Sequence, residues 1–240
     1  MKISIVIPAH NEEGSITETI EAVLAQQHPD FEVIVVDNAS TDRTTEVAGA
    51  YPIKVVAEPR KGLLFARERG RLEATGEIIA NIDADCLPNP DWLTQAESLF
   101  TDDSIVAVTG PYDYHDGGKI FRNTSLATQT YIYHPVSKIL QHRFVKGGAI
   151  LIGGNNFIRA EALHKAGGYN TALTFYGEDT DTAKRISQHG YVLFSPKIVM
   201  KTSARRFKAE GTLTLLFKYW YYFIKHTFFT KKHPDNSRCF

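Results

Sequence analysis

Over the first 82 residues, four short apolar runs alternate with polar and helical stretches, and this alternation constrains the fold more than anything else in the chain. The runs cover residues 3–7, 32–36, 53–57 and 77–82, each of strand length. Between the first two, Ile16, Ile20, Val23 and Leu24 fall on one helical face, and Ser15-x-x-Glu18 has the form of a capping box. Strands that alternate with helices predict an α/β fold: a mostly parallel central sheet with right-handed crossovers, flanked by helices. At 240 residues the chain has ample length for a real core, and it carries no internal repeat, low-complexity segment or clear linker.

The fourth run ends in Asn81-Ile82-Asp83-Ala84-Asp85, two carboxylates one residue apart. Open α/β sheets bind ligands just past the carboxyl ends of their strands. Side chains at i and i+2 share a face of an extended chain, so both acids could meet one bound group. A Mg²⁺-like ion takes one or two protein carboxylates and completes its shell with phosphate and water. A pair of solvated loop acids is the plain alternative. Asp37, at the end of the second run, is placed to accept hydrogen bonds from a ribose or a base, while Asp42 reads as a helix cap. The segment Pro8-Ala9-His10-Asn11-Glu12-Glu13, taken alone, reads as the start of a helix with acids opposing its positive dipole end. Neither a Gly-x-Gly-x-x-Gly fingerprint nor a phosphate-binding P-loop is present.

After residue 105 the pattern changes. A strand at 105–109 precedes Gly110-Pro111 and an aromatic loop with Tyr112 and Tyr114; a helix is expected within 120–140, then an apolar run at 149–152 and a Gly153-Gly154-Asn155-Asn156 turn. That turn either brings backbone close to a ligand or is simply tight. A short helix near 161–166 follows, and Gly177-Glu178-Asp179-Thr180-Asp181 opens another, with Asp181 expected to be solvated. The two halves are expected to share one sheet.

These blocks, in order, resemble the family 2 glycosyltransferases of GT-A fold. The resemblance rests on Pro8 to Glu13, on Val35-Val36-Asp37-Asn38-Ala39-Ser40-Thr41-Asp42, on Gly62 to Gly70 with Ala66-Arg67 and with Glu68 where the family has Asn, on Asp83-Ala84-Asp85, and on Glu178-Asp179 with Arg185. It implies a nucleotide-sugar donor half (1–110), an acceptor-binding and catalytic half (111–200) and a tail (201–240). In that pattern Pro8, Glu12, Asp37 and Arg67 line the base and ribose pocket of a UDP- or GDP-linked sugar. Asp83 faces the ribose, Asp85 holds Mn²⁺ or Mg²⁺ against the diphosphate, and Asp179 is the general base, with Glu178 positioning it or the acceptor. The implied activity is a metal-dependent, inverting, non-processive transfer to a hydroxyl of a lipid-linked or glycan acceptor, such as cell-envelope polysaccharide synthesis uses. The Gln-x-x-Arg-Trp box of processive synthases is missing, as is the third-ligand His that some relatives carry.

The net charge of zero hides an asymmetry: residues 197–240 carry ten Lys or Arg against two acids. That points to a polyanionic partner, a diphosphate or a membrane surface, rather than to nucleic acid. Arg205 and Arg206 are placed to clamp the diphosphate. Beyond them, residues 213–229 put Leu213, Leu216, Phe217, Trp220, Phe223 and Ile224 on one helical face, with Thr214, Lys218, Tyr221, Tyr222 and Lys225 on another. Such a basic amphipathic helix suits the membrane interface, or it packs on the domain or on a second copy in a homodimer. The absence of a signal-peptide pattern and the two cysteines fit a cytoplasmic protein, peripheral on the inner face of the membrane. The competing readings are a nucleotidyltransferase and a catalytically inactive sugar-nucleotide-binding membrane protein.

Overall fold

The computed structural model describes residues 1–139, 149–173 and 176–226. Its first half is a βα succession: β1 (Ile3–Ala9), α1 (Ile16–Leu24), β2 (Phe31–Asp37), α2 (Thr44–Gly49), β3 (Lys54–Ala57), α3 (Leu63–Glu73) and β4 (Ile78–Ile82). Two short elements follow, β5 (Cys86–Pro88) and α4 (Trp92–Glu97). The second half holds β6 (Ile105–Thr109), β7 (Tyr112–Tyr114), α5 (Lys119–Thr128), a π-helical turn (Gln129–Tyr133), α6 (His134–Ile139), β8 (Asn155–Arg159), α7 (Ala160–Lys165), α8 (Glu178–Ile186), β9 (Tyr191–Phe194), β10 (Met200–Thr202), α9 (Arg205–Glu210) and α10 (Thr212–Ile224).

One sheet spans both halves, in the order β3-β2-β1-β4-β8-β6-β9. Strands β1 to β4 run parallel; β8 is antiparallel to β4 and β6, so it joins the halves edge to edge. Alternation along β1 sends Ile3, Ile5 and Ile7 to one apolar layer with α1 and α4, and Val6 to the other with α3, α7 and α8. Burial on both faces explains why these strands read as continuous apolar runs. Helix α3 approaches β1 through Gly70, where an added Cβ would lie 2.2 Å from a Val6 methyl carbon. Only a residue without a side chain permits that packing distance.

A second, three-stranded sheet has the order β5-β10-β7. Thr202 pairs with Cys86 on one side and with Tyr114 on the other. This pairing carries the start of α9 back to the loop that follows β4.

Several local expectations are corrected. Ser15 does not form a capping box with Glu18; its hydroxyl donates to Glu12 Oε2 at 2.5 Å. The apolar run at 149–152 leads into β8, and Asn155 and Asn156 belong to that buried strand rather than to a turn. Their side chains accept and donate inside the core, as when Trp92 Nε1 donates to Asn155 Oδ1 at 2.9 Å, so amides here replace the expected apolar residues. The helix expected within 120–140 is interrupted by its π-helical turn. Asp181 is buried, not solvated, and accepts from Arg185 Nε at 2.8 Å. Of the expected tail helix, residues 227–229 lie outside the described residues.

Candidate active site

The carboxyl ends of β1, β2 and β4 and the amino end of α8 converge on one charged cluster. At its centre is Arg67, on α3 and only 4% exposed. Its Nη1 donates to Asp179 Oδ1 at 3.1 Å, and its Nη2 lies 3.5 Å from Asp83 Oδ1. Two acids 96 positions apart are thereby tied to a single guanidinium. Arg67 Nε has no hydrogen-bond partner among the described residues.

Tyr112 closes the other side of Asp83. Its hydroxyl donates to Asp83 Oδ2 at 3.2 Å and accepts from the Gly154 N–H at 2.8 Å. The Gly153-Gly154 turn lies directly against the acids: a Cβ on Gly153 would meet Asp179 oxygens at 2.7 and 2.8 Å, and one on Gly154 would meet Asp83 Oδ2 at 2.4 Å. Backbone here takes the place of side chains because the carboxylates occupy the space.

Asp179 and Glu178 form the first turn of α8, after Gly177 in a left-handed conformation. Burial raises the pKa of both above the ordinary carboxylate range. The Arg67 charge pulls Asp179 back down, while the Asp179 charge pushes Glu178 further up.

Asp85 faces the opposite rim. Its Oδ2 is 3.1 Å from Arg205 Nε, and the Arg205 guanidinium also pairs with both Glu12 oxygens. Arg205 is set there by Asp116, which accepts from the Ser203 hydroxyl and from Ala204 N–H at the start of α9. Burial, reinforced by the Asp83 charge, pushes Asp85 up to about 6 despite Arg205. Residual negative charge of this kind suits a hard cation bound by one or two carboxylates, with phosphate and water completing its shell. Among the described residues no group of three or more His, Cys, Asp and Glu could hold a metal ion. A cavity of about 110 Å³ adjoins Asp85, lined also by Glu18, Thr19, His115 and Ser203.

The remaining expected residues lie around this rim. Pro8 is buried in β1, paired in register with Val36. Asp37, at the end of β2, has one buried carboxylate oxygen without a partner among the described residues. Its neighbour Asn38 holds the next loop, donating to the carbonyls of Glu58 and Arg60 and accepting from Gly62 N–H at 2.7 Å. Arg206 is turned toward Tyr219 of α10, 3.5 Å from its hydroxyl. Glu68, where the family has Asn, is structural: it pairs with Arg71 and accepts from Tyr169 N–H at 2.9 Å. Sequence reasoning missed the roles of Tyr112, Asn38 and Asp116. Only for Asn38, beside Asp37 at a strand end, was there a positional signal.

A parallel half that ends in Asp-x-Asp, joined through an antiparallel strand to a half bearing a Glu-Asp pair, defines a glycosyltransferase of GT-A fold. Mannosyltransferase PcManGT from Pyrobaculum calidifontis, solved in complex with GDP-Man and Mn2+, superposes with a TM-score of 0.69 at 25% identity, covering 97% of this chain and 66% of that one. The family profile described as Glycosyl transferase family 2 matches residues 4–167, and the chain belongs to that family. Glycosyltransferase AglE of Haloferax volcanii is 28% identical over 216 residues, covering 85% of this chain and 68% of its own length. Probable glycosyltransferase YdaM of Bacillus subtilis is 28% identical over 212 residues, covering 82% and 50%. The chain thus spans only part of the length of these relatives. No helix among the described residues is long and apolar enough to cross a membrane.

Proposed function

We propose that this glycosyltransferase moves a sugar from a UDP- or GDP-linked donor to an acceptor hydroxyl in a single inverting displacement. The observation that carries the reading is the Asp83–Arg67–Asp179 bridge, which holds a donor-side acid and a base in one cluster. In the reaction the acceptor oxygen forms a bond to the anomeric carbon as the bond from that carbon to the diphosphate oxygen breaks. The electron pair leaves with the nucleoside diphosphate, and the hydroxyl proton passes to Asp179. Asp179 suits that role: burial raises its pKa and gives it basicity, while the Arg67 charge opposes that rise. Arg67 and the Gly153 backbone fix its direction.

On the donor side, Asp37 offers its unpartnered oxygen to ribose or base, and Asp83, held by Tyr112, faces the ribose. Asp85 would hold Mn²⁺ or Mg²⁺, which when bound neutralises the charge of the departing diphosphate. Arg205 and Arg206 serve the same diphosphate, Arg205 by exchanging carboxylate partners for phosphate oxygens. Glu178, held largely neutral, positions Asp179 or the acceptor without adding a second negative charge. The acceptor is a lipid-linked or glycan hydroxyl. The protein works at the cytoplasmic membrane surface, which α10 contacts.

Two substitutions test this. Asp179→Asn is expected to keep nucleotide-sugar binding by calorimetry while transfer falls by at least about a hundredfold; unchanged turnover overturns the base. Asp85→Ala is expected to abolish the Mn²⁺-dependent gain in donor affinity, and a wild-type isotherm removes the metal role.

A further inference from the structure

Two helical segments carry their apolar side chains outward. On α10, Leu213 is 83% exposed, Phe217 73% and Trp220 62%, and Leu216 and Ile224 continue the stripe. The helix docks through Leu215, which is fully buried, flanked by Lys218, which pairs with Glu210 at 2.6 Å, and by Tyr222, which stacks on Tyr176. The same inversion recurs where no sequence motif pointed to it. Along α5, the π-helical turn and α6, Ile120 is 81% exposed and Tyr131 77%, with Ile132 and Ile139 also outward. The inner side of that segment holds Phe121, Gln129 and Ser137.

The two segments back onto one aromatic cluster. Phe121 of α5 lies 5.0 Å from Phe207, which lies 6.3 Å from Tyr219 of α10, and Tyr114 touches both phenylalanines. Each segment also reaches the active site through one side chain. Gln129 clamps the Tyr112 backbone from both sides, at 2.9 and 3.0 Å, and Tyr112 holds Asp83; Tyr219 holds Arg206. The inner faces of the two segments are thereby tied to each other and to the residues that support Asp83 and Arg206.

We infer that α5–α6 and α10 together form one two-limbed surface that seats on an anionic lipid bilayer, which deepens the proposed membrane contact by adding a limb that the tail alone does not supply. The chemistry selects lipid over protein. Residues 117–139 contain Lys119 and Lys138 beside Arg122, which is paired with Asp113, and residues 197–240 hold ten Lys or Arg against two acids, with Arg205, Lys208 and Lys218 paired to carboxylates. Outward aromatic and aliphatic side chains with a net excess of Lys and Arg over acids match the acyl–headgroup boundary of an anionic leaflet. Tyr131, Trp220 and Tyr221 are of the amphipathic kind that settles there.

The test uses the full chain and two double variants, Ile120→Glu with Tyr131→Glu and Phe217→Glu with Trp220→Glu. All four positions are exposed, so folding is expected to be unaffected, and circular dichroism checks it. Wild type is expected to sediment with phosphatidylglycerol vesicles and more weakly with phosphatidylcholine vesicles. Each double variant is expected to lose at least about tenfold in partitioning to the anionic vesicles. Full partitioning of the Ile120/Tyr131 variant overturns the second limb. So does a wild-type protein that stays in solution with anionic vesicles and self-associates through these positions in ultracentrifugation. Titration of the same proteins with UDP-glucose or GDP-mannose and Mn²⁺ separates the two ideas: loss of donor binding in wild type counts against the donor site, whereas unchanged donor binding with altered partitioning reads on the surface alone.

Discussion

Arg67 donates to Asp179 at 3.1 Å across 112 positions of sequence, from a side chain that is almost wholly removed from solvent. A buried cation placed between two acids is costly to strip of partners, and each acid is costly to strip of the cation. The interaction therefore couples the fold to the chemistry: what holds α3 against α8 also sets the charge of the base.

Replacing Arg67 with Gln is expected to destabilise the protein by about 3–5 kcal/mol, since Asp83 and Asp179 lose the cation they share. The same change moves the acid limb of the kcat/KM profile upward. The Arg67 charge lowers the Asp179 pKa, so without it the carboxylate takes up its proton at higher pH and activity is lost sooner on acidification. Urea unfolding and a pH–rate series check the two halves separately. Arg67→Lys, with a point charge in place of a fork, is expected to restore the pH limb more than the stability.

Gly154→Ala tests whether the glycine turn is there to admit the carboxylates. The new Cβ would press on Asp83 Oδ2 at 2.4 Å and on the Tyr112 hydroxyl at 2.5 Å, and neither can move without breaking the bond between them. A displacement of that size is expected to cost about a hundredfold in kcat/KM. Gly14, which has nothing within 4 Å of an added Cβ, serves as the control, and Gly14→Ala is expected to leave the rate within about twofold.

The repeating βα half was legible because its physics is periodic. Residues 3–7 and 77–82 are continuous apolar runs, and they become central strands buried on both faces. Strand β8 was not legible, because Asn155-Asn156 places two amides inside the core and their partners, Trp92 and the carbonyls of Pro111, Ile152, Gly153 and Ile198, are remote in sequence or belong to a loop. The acids of the site were visible as Asp-x-Asp and Glu-Asp. What joins them was not: a tyrosine such as Tyr112 has no pattern that separates bonding to a carboxylate from ordinary packing. Asp181 reads as one more first-turn acid until the fold brings the Ala166 and Gly168 carbonyls to Arg185, leaving Asp181 as the partner of a pinned guanidinium.

Glu178 gives the pH dependence of stability a definite sign. Burial and the neighbouring Asp179 raise its pKa above the ordinary 4.5. Below 4.5 both the folded and the unfolded chain hold the proton, and the contribution is fully present. As pH rises beyond that value the unfolded chain ionises first, so folding is progressively disfavoured until the folded carboxyl also titrates. Between pH 5 and 8 the wild type is expected to lose about 1–3 kcal/mol more stability than Glu178→Gln, whose neutral amide does not titrate. Denaturant midpoints in matched buffers measure the difference. Parallel curves for the two proteins would mean that the carboxyl is ionised in the fold.

Tyr112→Phe isolates the hydroxyl that joins Asp83 to the glycine turn. The ring stays, so the packing against Tyr114, 5.9 Å between centroids, is retained and the aromatic cluster is not opened. What is lost is the donor to Asp83 and the acceptor of the Gly154 N–H, which leaves a backbone donor unsatisfied beside a carboxylate. A stability cost of about 1–3 kcal/mol follows from that orphaned group. The kinetic consequence distinguishes positioning from mere structure. If Tyr112 aims Asp83 at the donor, KM for the nucleotide sugar rises several-fold while the acid limb of the pH profile, which belongs to Asp179, stays where it was. A fall in kcat with donor KM unchanged would instead place the tyrosine's effect on the Gly153-Gly154 side, through the backbone that directs Asp179.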